Sequence, residues 1–394
     1  MSDAIPPSQR RPPPPIPLTV LTGFLGAGKT TLLNRLLQDE GLKDTVVLIN
    51  EFGEIGLDHL FVEAVDDNLV LLSSGCLCCS VRGDLIATLE DLLKRRDNAR
   101  MIPFRRIIVE TTGLADPAPV LHTIMYHPYL MLRYRLDGVV TLVDAVNGAA
   151  TLDAHEEALR QAAVADRLVL TKTDIAADDG GALRARLHGL NPAARILDAA
   201  KGEASAAALL DAGLYSVDGK IPDVRAWLNA EAFDAPHGDH HGHAHEHAHG
   251  HAHGAGAHQD AHDVNRHSKS IRAWCLTSER LIAPQAFDMF LSLLRDTQGP
   301  NLLRVKGIVA LGDDPGRPLV IHGVQHVFHP PVRLERWPDA DRRTRIVFIL
   351  RNLDEAFVER LWGALTGTVA PDAPDAAAVT RNPLAADRGG GLFG

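Results

Sequence analysis

Pro17-Leu-Thr-Val-Leu-Thr22, then Gly23-Phe-Leu-Gly26-Ala27-Gly28-Lys29-Thr30-Thr31, then Leu32-Leu33-Asn-Arg-Leu36-Leu37 follow one another without a break. The first piece is apolar and β-branched and reads as a short buried strand; the last has leucines at helical spacing. Between them stands the Gly-x4-Gly-Lys-Thr pattern of a phosphate-binding loop, and strand before and helix after is the context that gives the pattern meaning. Glycines let backbone N–H groups turn inward around phosphate oxygens, and the helix N-terminus adds a favourable dipole. Gly23, Gly26, Ala27 and Gly28 are therefore expected to line a nucleotide cradle. Lys29 should reach the β- and γ-phosphates and act in catalysis, Thr30 should give its hydroxyl to Mg²⁺, and Thr31 should help at the α-phosphate.

Outward from this loop, apolar runs recur at 45–49, 69–72, 107–109, 138–143 and 167–170, with helical segments around 84–95, 116–126 and 153–164. Apolar strands alternating with amphipathic helices predict an α/β P-loop domain with a mainly parallel sheet. Its expected extent is 17–232, after a Pro-rich disordered tail at 1–16. Composition then shifts to His, Gly, Ala and acid, so 233–268 reads as a flexible linker without a core. Strand-like runs at 270–277, 302–311, 318–328 and 345–350, with helical spacing at 284–297 and 353–365, predict a small α+β domain over 269–366, its sheet antiparallel. Residues 367–394 read as a disordered tail.

Two further motifs belong with the phosphate loop. Glu110-Thr-Thr-Gly113 ends an apolar strand, where Glu110 would face Mg²⁺ and the attacking water and Gly113 would let backbone approach a γ-phosphate. A strand-end cap is the plainer reading. Thr171-Lys172-Thr173-Asp174 resembles the guanine-reading Asn-Lys-x-Asp pattern: Asp174 would accept from the base and the Lys172 stem would lie along it. This favours GTP over ATP. Thr171 replaces an Asn, which removes an amide that would tie the loop together. Ala199-Ala200-Lys201 is a candidate for the last base-contacting loop.

Cys76-Leu-Cys78-Cys79 places three thiols on one tight loop. Thiolates suit Zn²⁺ or Cu⁺, and three ligands leave a position open for a transferable ion. Glu51 is a candidate fourth ligand, with a magnesium contact or an ordinary loop charge as alternatives. Redox thiols and structural burial are the rival readings of the cluster. Twelve of the chain's 20 histidines fall between His237 and His267, a tract able to hold several ions weakly or to be a solvated spacer. His322, His326 and His329 could form a patch facing a partner or could pack internally. His127 could lie near the thiol loop. Cys275 reads as a small buried side chain.

The 394 residues carry a net charge of −10, which gives no electrostatic support to nucleic-acid binding. Hydrophobic residues at 45 % and charged residues at 23 % are ordinary for globular protein. The longest apolar runs are strand-sized, so no membrane partner is expected. The polar N-terminus lacks a signal peptide's apolar region, and cytoplasmic residence with reduced thiols is expected.

Together GFLGAGKTTLLN (23–34), NEFGEIGLD (50–58), GCLCC (75–79), ETTGLADP (110–117), DGVVTLVDA (137–145) and TKTD (171–174) resemble the CobW-type metallochaperone GTPases, relatives of UreG and HypB in the SIMIBI class. The resemblance implies slow GTP hydrolysis and binding of Zn²⁺, or Co²⁺, at Cys76, Cys78 and Cys79. It implies GTP-controlled transfer to client metalloproteins docking on the C-terminal domain, and leaves room for a GTP-dependent homodimer. Its wording is nearer the zinc-transfer subgroup than those serving cobalamin synthesis or nitrile hydratase. Two other classes stay open: a metal store or sensor whose nucleotide is structural, and an ATP-dependent enzyme with redox thiols.

Overall fold

The computed structural model describes residues 14–39, 42, 44–50, 69–72, 81–101, 103–210 and 271–367. Seven strands form the first sheet: β1 (Ile16–Gly23), β2 (Thr45–Asn50), β3 (Leu69–Leu72), β4 (Arg106–Glu110), β5 (Tyr134–Asp144), β6 (Arg167–Thr171) and β7 (Arg195–Asp198). They lie in the order β3-β2-β4-β1-β5-β6-β7, and every pair is parallel. The helices are α1 (Lys29–Leu37), α2 (Val81–Asp97), α3 (Ala118–Tyr126), α4 (Leu130–Arg133), α5 (Gly148–Ala154), α6 (Glu156–Ala163), α7 (Gly181–Leu190) and α8 (Ala206–Leu209). β1 sits at the centre, so its Leu18 and Val20 have no exposure. One face of the sheet packs with Leu32, Leu33 and Leu36 of α1. The opposite face packs with Leu89 and Leu93 of α2 and Leu121 of α3. A strand covered on both faces must be apolar throughout, which is why these strands show no alternation.

The second sheet is antiparallel: β8 (Ile271–Ser278), β9 (Leu302–Val309), β10 (Leu319–Val324), β11 (Val327–Phe328), β12 (Val332–Arg333) and β13 (Thr344–Arg351), in the order β11-β10-β9-β13-β8 with β12 against β10. Helices α9 (Pro284–Gln298) and α10 (Glu355–Thr366) cover one face, through Phe287, Phe290 and Trp362 against Val305 and Phe348. The other face rests on the first domain. Ile271, Leu303 and Ile349 share a cluster with Leu183 and Leu187 of α7. Val324 and Val327 join the cluster around Leu121.

Several elements differ from the sequence expectation. The helix expected over 153–164 is two helices, α5 and α6, because His155 is extended between them (φ −130°, ψ 115°). The run 318–328 is a hairpin, turned at Gln325 with φ 53°. Cys275 is half-buried on β8, not enclosed, within a run Ala273–Cys275 that is half-buried throughout. His322 is buried at the domain boundary and is not part of a patch facing outward. His326 meets His122 of α3, ring centroids 4.6 Å apart. The tails 1–13 and 368–394, Glu51, Cys76, Cys78, Cys79 and the tract His237–His267 lie outside the described residues.

The domain boundary holds a buried ionic cluster. Asp166, just before β6, accepts from Arg304 Nη2 of β9 at 2.7 Å through Oδ1 and from the Val139 N–H at 2.8 Å through Oδ2. Lys306 Nζ meets the same Oδ1. Burial pushes the His329 imidazole down to about 4, and the Arg304 charge acts the same way. Burial, then Arg304, holds His322 well below its ordinary value. Between pH 6.5 and 4 the unfolded chain therefore takes up protons that the native chain refuses. Stability should fall with acidification across that window, by about 3 kcal/mol from His329 alone. Urea melts at pH 7 and pH 4.5 should show a smaller loss for His329→Gln than for the native chain. An unchanged loss would mean that His329 is protonated in the native state.

Candidate functional site

The residues expected to bind nucleotide collect at the carboxyl edge of the parallel sheet, in the loops after β1, β4 and β6, whereas His127, Cys275, His322, His326 and His329 lie elsewhere. The carboxyl edge is where open α/β sheets place their ligand crevices. Gly23 ends β1 with φ 143°, and a Cβ there would lie 2.6 Å from the Leu142 carbonyl oxygen. Gly26 and Gly28 also have positive φ, 71° and 89°. The loop closes on itself through Ala27 N–H to the Phe24 carbonyl at 3.1 Å. Lys29 opens α1 and donates from Nζ to the carbonyls of Gly23 at 2.9 Å and Phe24 at 3.3 Å, so its ammonium lies across the loop's mouth. Thr30 and Thr31 follow in the first helical turn, the latter exposed.

Glu110 is buried at the end of β4, 6 % exposed, in register with Leu21 of β1 and Ile49 of β2. The strand-end loop is pinned to β1 by the Thr111 N–H to the Leu21 carbonyl at 2.9 Å and by the Thr111 hydroxyl to Thr22 Oγ1 at 2.7 Å. Gly113 presses directly on the phosphate loop. A Cβ at 113 would lie 2.7 Å from the Leu25 backbone N and 2.6 Å from its Cδ2.

At Thr171–Asp174 the structure corrects the sequence argument. Loss of the Asn amide at 171 does not untie the loop. Thr171 Oγ1 donates to the Ala27 carbonyl at 2.9 Å, so a hydroxyl makes the tie to the phosphate loop. Lys172 has φ 59° and pairs with Asp144 Oδ2 at 2.7 Å. Burial raises the Asp144 carboxyl, but hydrogen bonds from Lys172, Val146 N–H and Asn147 outweigh it and hold it below its ordinary value. Asp174 is exposed in the single 3-10 turn Thr173–Ile175.

Sequence reasoning missed the residues that brace these loops. Asp198, at the end of β7, accepts through Oδ1 from Thr173 Oγ1 at 2.7 Å and from the Ala200 N–H at 3.0 Å. It thereby joins the 171–174 segment to the 199–201 loop. Arg35 of α1 holds the same loop through the carbonyls of Ala199 at 2.9 Å and Ala204 at 3.2 Å. An acid ending a buried strand was the available signal for Asp198; none marked Arg35. His127 accepts from the Leu130 N–H at 3.4 Å through Nδ1. Among the described residues no group of three or more His, Cys, Asp or Glu could hold a metal ion. None of the described helices is long and apolar enough to cross a membrane.

A parallel sheet with the phosphate loop after its central strand, braced against a Thr-Lys-Thr-Asp segment, defines a P-loop GTPase domain. The nucleotide-binding domain family of CobW, HypB and UreG matches residues 17–198, and the CobW C-terminal domain family matches 271–366. The chain belongs to the CobW family of GTPases. The zinc chaperone CobW of Pseudomonas aeruginosa is 31 % identical over 383 residues, covering 87 % of this chain and 89 % of that protein. The zinc chaperone YjiA of Escherichia coli is 41 % identical over 189 residues, 48 % of this chain and 59 % of that protein. The zinc-regulated GTPase metalloprotein activator 1 of Schizosaccharomyces pombe is 28 % identical over 365 residues, 86 % of this chain and 83 % of that protein. Zn(II)-bound YjiA superimposes with a TM-score of 0.64 at 26 % identity, over 89 % of this chain and 99 % of that one.

Proposed function

We propose that this chain is a zinc chaperone that hydrolyses GTP and uses the difference between its GTP and GDP states to load or release zinc for client metalloproteins. The observation that carries it is the close approach of Gly113 to Leu25, which sets the Glu110–Gly113 loop directly against the phosphate loop with no room for a Cβ between them. Gly23, Gly26, Ala27, Gly28, Lys29, Thr30 and Thr31 would hold the phosphates. Lys172 and Asp174 would read guanine, with Thr171, Asp198 and Arg35 fixing the frame. Lys29 would leave the Gly23 and Phe24 carbonyls for phosphate oxygens. Thr30 and Glu110 are oxygen donors suited to Mg²⁺, a hard cation, and Glu110 would orient the attacking water.

Cys76, Cys78 and Cys79, with Glu51 as the candidate fourth ligand, are the proposed cargo site; the relatives' names make zinc the first choice over cobalt. The His237–His267 tract would collect ions for it, and the C-terminal domain would receive the client. Metal transfer can be driven only if metal affinity differs between nucleotide states.

The test is zinc affinity by competition with a chromophoric chelator, first with GDP and then with a non-hydrolysable GTP analogue. The native chain should bind tightly, with affinities at least tenfold apart in the two states (1.4 kcal/mol). Replacing Cys76, Cys78 and Cys79 with Ser should abolish tight binding. Equal affinity with both nucleotides would refute the coupling and leave a metal store that hydrolyses GTP.

A further inference from the structure

We infer that Gln161 is a positioning residue for GTP hydrolysis, and that α6 carries the C-terminal domain's influence to the same loop. The inference rests on the reading of Glu110–Gly113 as the γ-phosphate side of the site. Gln161 is 1 % exposed. Its Nε2 donates to two carbonyls of that loop's continuation, Gly113 at 3.1 Å and Ala115 at 3.0 Å. One buried amide therefore holds both sides of Leu114, which is itself 47 % exposed. The Gln161 backbone is anchored in turn, because its carbonyl accepts from Thr141 Oγ1 of β5 at 2.8 Å. A fixed amide on a fixed helix sets where the 113–115 backbone runs.

The helix bearing Gln161 touches the rest of the machinery at both ends. His155, immediately before α6, stacks on Phe24 of the phosphate loop with centroids 4.5 Å apart. Arg160 reaches Asp116 at 3.2 Å and Glu156 at 2.9 Å. Glu156 also takes Arg351 Nη1, from the last residue of β13 in the C-terminal domain. Asp116 accepts the Ala118 N–H at 2.9 Å, at the start of α3. A continuous chain of charges thus runs Arg351–Glu156–Arg160–Asp116 from the second domain to the loop that Gln161 holds. A client displacing Arg351 would loosen α6 at one end and the loop at the other. The charged pairs are half-exposed and each is weak alone. The buried amide is the strong member, since its loss leaves two carbonyls without their donor.

The experiment compares the full-length chain with Q161M, R351A and G113A. The readouts are single-turnover GTP hydrolysis, steady-state kcat and KM, and GDP affinity. Q161M keeps the side chain's length and removes its donors. It should lower kcat about tenfold with KM and GDP affinity within about twofold of native, because GDP is held by the phosphate and base loops. R351A should lower kcat in the same direction by about two- to threefold. A merely structural role would weaken GDP binding as well. Native kcat in Q161M while G113A is impaired overturns the inference and spares the reading of the loop. Native kcat in both overturns the reading of the loop, and the inference with it. If Q161M does not fold, R351A and E156Q decide: a lowered kcat in both supports the inference, and native kcat in either overturns it.

Discussion

Gly113→Ala is expected to slow GTP hydrolysis about 100-fold while GDP binds as in the native chain, since misplacing reacting groups by about 1 Å costs that much. The added methyl would lie 2.7 Å from the Leu25 backbone nitrogen and 2.8 Å from its Cγ. A backbone atom cannot rotate aside as a side chain can. Either the phosphate loop or the 110–115 loop must shift, and the two are the proposed walls of the γ-phosphate site. Relaxation of the phosphate loop is limited on its other side by Thr171, whose hydroxyl holds the Ala27 carbonyl at 2.9 Å. The shift therefore falls mainly on the 110–115 loop. Single-turnover hydrolysis and GDP titration check this. Gly189→Ala is the control: it lies in α7 with nothing within 4 Å of an added Cβ, and should leave both unchanged. Native turnover in Gly113→Ala would remove the 110–113 loop from the reaction.

Arg304→Ala is expected to cost about 3 kcal/mol of stability, because the buried Asp166 carboxylate loses a charge-assisted hydrogen bond and the buried Arg304 side chain leaves a void. Burial acts to raise the Asp166 carboxyl, but the charges of Arg304 and Lys306 overcome it and hold it far below the ordinary value. The stability this provides is present above pH 3.8 and is lost as pH falls through the lower native value. Without Arg304, the carboxylate keeps Lys306 and the Val139 N–H but loses one of its two flanking cations, so the acid-sensitive window should move upward in pH. Replacing all three charges, Arg304→Met and Lys306→Met with Asp166→Asn, should cost less than the sum of the single changes, because no charge is stranded. Urea melts of the native chain, the three single variants and the triple variant measure this. Additive losses would show that Asp166, Arg304 and Lys306 act independently and that apolar packing alone joins the domains.

The first domain was legible in the sequence because its signals are local. A strand, a glycine loop and a helix at 17–37 predict themselves, and so do the apolar runs that become β2, β4, β5 and β6. Thr171 shows where local reasoning stops. The sequence alone presents a deletion, an amide lost, whereas the hydroxyl makes the tie to a loop 144 positions away. The histidines at 322 and 329 show the same limit. Spacing cannot tell a histidine that faces a partner from one packed near Arg304 at a domain boundary, because the difference is desolvation, and desolvation is a property of the packed chain.

Residue types at short fixed spacings are enough for the family, the nucleotide chemistry expected of 23–31, 110–113 and 171–174, and the α/β class of the first domain and α+β class of the second. Only folding pairs the residues that brace the site, Gln161 with Gly113 and Ala115 and Asp198 with Thr173 and Ala200, and those that tie the domains together, Asp166 with Arg304. Each of these pairs joins separate elements through one buried polar atom. Such a contact leaves no periodic trace in the chain, because only folding brings its two halves within hydrogen-bond reach.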